Sequence, residues 1–256
     1  LYGATVHNFK DVPSVTASVE KGRVRFEKLV IPYTGTYDHM RRSLLRELRR
    51  WDESSPLFLA YQVQVWGEMR PHRIVEIARE LEERFAGKVE LVRADHYFNL
   101  YNEAHGLPFN LVLSRSTSVE AGSSRGDAER AIDGTPATLW TSSKDEGARW
   151  LRVDLGAAYR IERYVIRHAG ASGSSRSENT RSFRLEGSTD GASWTTVDEK
   201  RENTANVTDV DVEPIEARYV RITIDDPGKD GIARIADVEI FGRRTDRDSS
   251  PTTGGS

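Results

Sequence analysis

"ERAIDGTPATLWTS", residues 129 to 142, is the stretch on which the reading of the fold turns. Asp133-Gly134 and Pro136 are turn chemistry. Glycine accepts left-handed backbone, proline presets φ, and aspartate bonds to its own main chain. A tryptophan placed directly after such a turn, here Trp140, is a residue for a core. The stretch therefore delivers a strand, and the question it raises is whether the turn also holds something.

Downstream the chain breaks into short runs separated by Gly, Asp, Ser and Thr. They are "WLRVDLG" (150–156), "IERYVIRHA" (161–169), "SFRLEGS" (182–188), "WTTVDEK" (194–200), "VTDVDV" (207–212), "RYVRITI" (218–224) and "RIADVEIFG" (234–242). Many short strands with regular turn signals predict an antiparallel β-sandwich over 114–242. The polar segment 243–256, "RRTDRDSSPTTGGS", reads as a disordered tail or a linker.

Upstream the pattern changes. In "DHMRRSLLRELRRW" (38–51), Leu44, Leu45, Leu48 and Trp51 fall on one helical face, with Asp38 as the N-cap. "LFLAYQVQVW" (57–66) reads as a strand. "PHRIVEIARELEERFA" (71–86) opens with Pro71, repeats Ile74, Ile77, Ala78, Leu81 and Phe85 at helical spacing, and stops at Gly87. "KVELVRA" (88–94) is the next predicted strand. "DHYFNLYNEAHG" is a helix capped by Asp95 and closed by Gly106. Alternating strands and helices predict parallel βα units, an α/β layer or an incomplete barrel. A complete barrel takes about 250 residues. Residues 1–110 therefore read as the C-terminal part of a larger catalytic-type domain, and Leu1 as a continuation rather than a start.

Composition limits the function classes. The chain has 256 residues, 37% hydrophobic and 30% charged, which suits two modest domains. It has no Cys, so disulfides, thiolate metal sites and Cys nucleophiles are excluded. Residues 1–115 carry a net charge of +2 and the rest −5, so nucleic acid is not expected as a partner. No apolar run approaches the ~20 residues of a membrane helix. No signal peptide is visible.

In order, "AIDGTPATLWTS", "RWLRVDLG", "SFRLEGSTDGASWTTV", "ARYVRITI" and "ARIADVEIFG" resemble a coagulation factor 5/8 type C (discoidin) domain. Its bacterial members are grouped as family 32 carbohydrate-binding modules. The resemblance covers 114–242 and implies a jelly-roll, galactose-binding-like sandwich. It also implies a structural Ca²⁺ near the first and last strands. The positions matching that site are the carboxylates of Asp133 and Asp237, the Thr138 hydroxyl, and the carbonyls of Arg130, Thr135 and Ala236. An all-oxygen set suits Ca²⁺. The family usually carries Glu at the position of Asp237, so this carboxylate is one methylene shorter. The plainer reading is that Asp133 and Thr138 cap a turn.

The ligand face is implied by the same resemblance. Members that bind galactose-type sugars use His, Arg and Asn on loops at one end. "VIRHAGASGSSRSENTRSF" (165–183) and "KRENTANVT" (200–208) supply His168, Asn179, Arg181 and Asn203, with Glu178 and Arg201 nearby. Imidazole can both donate and accept, and guanidinium can fork across adjacent oxygens. The plainer reading is that Asn179 and Arg181 cap the loop and His168 ends a strand. Trp140, Trp150 and Trp194 are expected in the core rather than as sugar platforms. Loop 169–177, "AGASGSSRS", has no apolar spike, which argues against insertion into a membrane.

The first half resembles the C-terminal end of the GxGYxYP glycoside hydrolases, although that motif itself is not in the sequence. Glu68, after the predicted strand, has the position of a barrel-site carboxylate. His72, Asp95, His96 and Glu103 are further polar candidates, each with a structural alternative such as a cap or a solvated face. No catalytic pair is assigned. The expectation is a glycan-binding module that targets an attached glycoside hydrolase, secreted by or displayed on a bacterium. The alternative is a structural, protein-binding or lipid-binding discoidin domain.

Overall fold

The computed structural model describes the chain apart from residues 1–4, 8–13, 21–22, 35–36, 55, 60–61, 64–70, 86–87, 91, 93, 115, 124–126, 145–148 and 246–256. The chain divides into two compact units, Leu1–Ala104 and His105–Ser256.

The first unit contains β1 (Thr5–His7), β2 (Ser14–Glu20), β3 (Arg23–Thr34), α1 (Tyr37–Arg50), β4 (Gln62–Val63), α2 (Pro71–Arg84) and α3 (Ala94–Ala104). β3 pairs in parallel with β1 and β4 and antiparallel with β2, so the sheet is mixed. The three helices lie where their periodicity places them. Asp38 and Asp95 sit inside the first turns of α1 and α3 rather than at the caps. There they still complement the helix dipole. α1 and α2 bury Met40, Leu45, Leu48, Ile77 and Leu81 against one another. Arg41 of α1 forks onto Glu80 of α2 at 2.6 and 2.5 Å. That contact holds Glu80 below the usual carboxylate range. Gly106 closes α3 in the left-handed region, φ 68°.

Two predicted strands differ. Within 57–66 only Gln62–Val63 is strand among the described residues. In 88–94, Lys88, Val89, Glu90 and Val92 are irregular, and Ala94 opens α3. β-branched and apolar residues suit a strand, but a strand also needs a partner edge, and propensity does not supply one.

The second unit holds β5 (Phe109–Asn110), β6 (Ser118–Ala121), β7 (Trp140–Thr141), β8 (Arg149–His168), β9 (Ser182–Ser188), β10 (Thr195–Lys200), β11 (Val207–Asp226) and β12 (Arg234–Arg244). Every pairing is antiparallel. The predicted strands 150–156 and 161–169 are two halves of β8, and 207–212 and 218–224 are two halves of β11. The long strands cross from one layer to the other. Arg149–Asp154 of β8 pairs with Tyr219–Ile224 of β11 and with β6. Tyr159–His168 pairs with β12 and with the early part of β11. Irregular register between these halves lets the strands bend. One layer therefore reads β10-β9-β11-β8-β6. The other reads β11-β8-β12, extended by β5 and β7.

Between the layers lie Trp140, Leu151, Leu155, Ile161, Tyr164, Phe183, Leu185, Ile222 and Ile240, among others. The fold is an antiparallel sandwich, as the strand pattern predicts. Pairing runs beyond 114–242 at both ends. Phe109–Asn110 joins β12, and Arg243 and Arg244 continue it, so strand occupies the start of the predicted tail. Residues 246–256 of that tail lie outside the described residues. Among the described residues no helix is long and apolar enough to cross a membrane.

Candidate functional site

The turn at 130–138 is built from its own side chains. A 3-10 turn, Ala128–Ala131, precedes it. Asp133 Oδ1 accepts from the Thr135 main-chain N–H at 3.0 Å, and Gly134 takes φ 73°. Thr138 donates its hydroxyl to Asp133 Oδ2 at 2.6 Å and lies 3.3 Å from the Arg130 carbonyl oxygen. Trp140 then enters the core with no exposed surface.

β7 brings β12 to this turn, since Trp140 pairs with Ile235 and Thr141 with Arg234. The next residues of β12 are Ala236 and Asp237. Between Ile235 and Asp237 the register against β8 slips, so Ala236 is the bulged residue that the ladder leaves out. Asp237 is 4% exposed. Burial first, then the charges of Glu239 and Asp133, pushes its carboxyl up to about 6, against an opposing pull from Arg167. Arg167 Nε lies 3.7 Å from Asp237 Oδ2, and its Nη2 donates to Glu239 at 2.8 Å.

The donor set fits a hard cation. All its atoms are oxygen, Asp133 lies close enough to Asp237 to disfavour the Asp237 charge, and a bulge adjoins Asp237. Among the described residues no three Asp, Glu or His side chains cluster, so hydroxyl and carbonyl oxygens would have to complete the shell.

At one end of the sandwich, three segments meet: 169–181, 201–206 and 226–233. His168 has no exposed surface. Its Nε2 lies 2.9 Å from Thr208 Oγ1, its ring is tilted against Phe183, and burial pushes its pKa down to about 4. Asn179 is 1% exposed. Its Oδ1 accepts from Gly170 N–H at 2.7 Å, and its Nδ2 donates to the Ala205 carbonyl and to Asn206 Oδ1, both at 3.1 Å. Asn203 donates to the Thr180 carbonyl at 3.0 Å and accepts from Ala205 N–H at 3.0 Å. In this arrangement Asn179 and Asn203 tie the loops together, while His168 packs on the strands beneath them.

Arg181 is different, because its side chain is exposed while its main chain is fixed. Its N–H donates to the Asp226 carbonyl at 2.9 Å, and its own carbonyl accepts from Asn203 N–H at 2.7 Å. The structure thus gathers the four predicted residues but exposes only the arginine among them fully.

Sequence reasoning missed two contributors here. Asn206 accepts from Asn179, and its carbonyl receives the His168 N–H at 2.9 Å. The turn 226–231 places Gly228 at φ 107° against the Asn179 main chain, with Lys229 N–H donating to the Ser177 carbonyl at 3.1 Å. "DDPGKDG" (225–231) announces a turn, but nothing local assigns it to this end.

Of the tryptophans, Trp140 is in the core as expected. Trp150 and Trp194 are only half-buried, on the outer side of the sandwich, because each pairs with a guanidinium instead.

In the first unit, an apolar cavity of about 580 Å³ lies among α1, α2 and α3, lined by Met40, Leu48, Ile77, Leu81 and Tyr97. His72, Asp95, His96 and Glu103 are not among its lining residues. Glu68 lies outside the described residues.

Residues 113–238 match the F5/8 type C domain family. This segment is an F5/8 type C domain. Solved structures similar to the chain include family 32 modules. The module of Clostridium perfringens NanJ, solved in complex with galactose, is 26% identical, with a TM-score of 0.44, covering 49% of this chain and 93% of that one. CpGH89CBM32-5 from the same organism, solved with GalNAc-β-1,3-galactose, is 20% identical, with a TM-score of 0.45, covering 50% of this chain and 96% of that one. Chitosan-binding module 1 from a chitosanase/glucanase of Paenibacillus sp. IK-5 is 24% identical, with a TM-score of 0.46, covering 52% of this chain and 98% of that one. No curated relative matches the chain.

Proposed function

We propose that the F5/8 type C domain is a carbohydrate-binding module that contacts a galactose-type glycan through Arg181. One observation carries this reading. Arg181 is an exposed guanidinium whose own main chain is hydrogen-bonded on both sides, beside a loop cluster tied by buried Asn179 and resting on buried His168. A fixed main chain sets where the fork of donors starts, so less freedom is lost when it meets vicinal sugar oxygens. In this reading His168, Asn179 and Asn203 serve the ligand by shaping the loops.

The turn around Asp133 would hold Ca²⁺ through Asp133, Thr138, Asp237 and the carbonyls of Arg130, Thr135 and Ala236. The ion would supply charge to offset the two carboxylates. Asp133 and Thr138 would then anchor the 130–138 turn to the bulge in β12. This is a structural role, apart from the loops around Arg181.

The module would act as a targeting device for an attached glycoside hydrolase, of which residues 1–110 form part, outside a bacterial cell. Tethering raises the local concentration of substrate without adding chemistry.

The test is binding of the full chain to an array of galactose-terminated glycans, alongside Arg181→Ala. Binding by wild type that the substitution removes, with the melting temperature unchanged, supports the reading. An array silent with wild type overturns it in favour of a structural or protein-binding domain, and binding indifferent to the substitution overturns the assignment to Arg181.

A further inference from the structure

The outer side of the β10-β9-β11-β8-β6 layer carries a feature that the loop end does not use. Core and outer positions alternate along 150–155 of β8, so Leu151 and Val153 face inward while Trp150, Arg152 and Asp154 face outward. Register then lines up rows across the sheet. Trp150 lies opposite Thr223, and Thr223 opposite Arg184. Glu120 lies opposite Arg152, Arg152 opposite Arg221, and Arg221 opposite Glu186.

Three guanidinium–ring pairs share this side of the domain. Arg152 sits 5.9 Å from the Trp150 ring, Arg221 4.1 Å from Trp194 and Arg218 4.9 Å from Tyr219. Each of these rings keeps part of its surface in solvent. Two half-buried indoles and a tyrosine on one side of the sheet make a group of ring surfaces rather than scattered single residues.

The charges on it are balanced one for one. Arg152 pairs with Glu120 at 2.5 Å, Arg221 with Glu186 at 2.8 Å, Arg218 with Asp154 at 2.9 Å and Arg184 with Asp225 at 3.2 Å. Each of these four guanidiniums has a carboxylate partner, so none of the four is left over to favour a polyanion. What remains is a set of linked donors and acceptors beside apolar ring faces. That combination matches an uncharged sugar, whose hydroxyls both donate and accept and whose C–H patches stack on indole.

We propose that this sheet side is a second carbohydrate-binding surface, taking an uncharged glycan chain across the strands, with Trp150 as its platform and Arg152 and Arg221 as its polar contacts. It goes beyond the loop-end reading and does not depend on it.

The experiment uses the full chain and an array of uncharged oligosaccharides with their sulfated and uronic-acid counterparts. Wild type is compared with Arg181→Ala, Trp150→Ala, Trp150→Phe and the double alanine variant. The expected result is that Arg181→Ala keeps binding to an uncharged chain, and Trp150→Ala weakens that binding about tenfold. Trp150→Phe restores most of it, and the double variant is silent. Melting temperatures report whether each variant is folded, and the phenylalanine variant separates loss of the ring from loss of the fold. Silence of Arg181→Ala on every uncharged chain overturns the proposal and leaves the loop reading standing. Full binding by Trp150→Ala, or a preference for the sulfated chains, also overturns it. Loss with Trp150→Ala alone supports it and overturns the loop reading instead. A silent wild type overturns both.

Discussion

His168 Nε2 and Thr208 Oγ1 lie 2.9 Å apart in the buried interior, while the other ring nitrogen, Nδ1, has no hydrogen-bond partner. The imidazole is therefore held neutral, and its pKa falls from 6.5 to about 4 because burial disfavours the charged form.

That relationship sets a pH dependence. Between about 4 and 6.5 the unfolded chain binds a proton that the folded protein refuses. Stability is therefore fully present above the unfolded value and is lost as pH falls through this window, by an amount on the order of 3 kcal/mol. We expect the stability difference between wild type and His168→Gln to shrink on acidification from pH 7 to pH 4. Chemical denaturation at a series of pH values measures it, and a difference that stays flat would refute the buried neutral ring.

Asp133 and Asp237 bear on the cation. Ca²⁺ that binds only the folded state stabilises by about 2.7 kcal/mol at a hundredfold excess over its Kd. Adding chelator to wild type should lower the melting temperature, and Asp133→Ala should abolish the response. Identical melts with and without Ca²⁺, after full removal of the ion, would rule the site out.

Asn179 and Arg181 should separate cleanly. Asn179→Ala removes three hydrogen bonds inside the loop cluster, leaving Gly170 N–H without its acceptor. A buried polar group left unpaired costs about 1–3 kcal/mol, so this variant should melt lower. Arg181→Ala removes an exposed side chain and should leave the melt within about 0.5 kcal/mol of wild type. Calorimetry on both variants is the check, and equal destabilisation would contradict the division of roles.

Gly228 is the clearest backbone constraint at the loop end. Its φ is 107°, and an added Cβ would lie 2.7 Å from the Asn179 carbonyl oxygen. That neighbour is main chain, so it can move only with the loop. Gly228→Ala should cost roughly 1–3 kcal/mol. Faster amide exchange at Asn179 and Lys229, whose N–H groups bond within this cluster, would accompany it.

Much of the second unit was legible because its information is local. Alternation along 150–156 and 182–185 reports one buried side and one wet side, which is how those residues sit, whereas 186–188 are buried on both sides. Asp133, Gly134 and Pro136 report a turn, and Trp140 after it reports a core. The split of β8 and β11 into halves was legible only as separate strands. Continuity depends on bulges and on which partners each half meets, and neither is written in residue types. In the first unit the helices were legible from their period. Within 57–66 the described residues 57–59 are irregular and only Gln62–Val63 finds an edge on β3, and the described residues of 88–93 are irregular, since apolar runs do not name a partner edge.

The candidate site divides along the same line. Sequence alone placed Asn179, Arg181 and Asn203 on two Gly/Ser/Asn-rich loops with His168 at the edge of the first, and Asp133 and Thr138 in one turn. Only the tertiary structure decided that His168 is covered by Phe183 and Thr208, that Asn179 spends its amide on Gly170, Ala205 and Asn206, and that Arg181 stays in solvent. It also decided that β7 lies against β12, setting Asp237 beside a turn about a hundred residues earlier. Residue type dictates what a side chain can bond. Which atoms reach it depends on strand pairings between distant segments, and no local pattern encodes those.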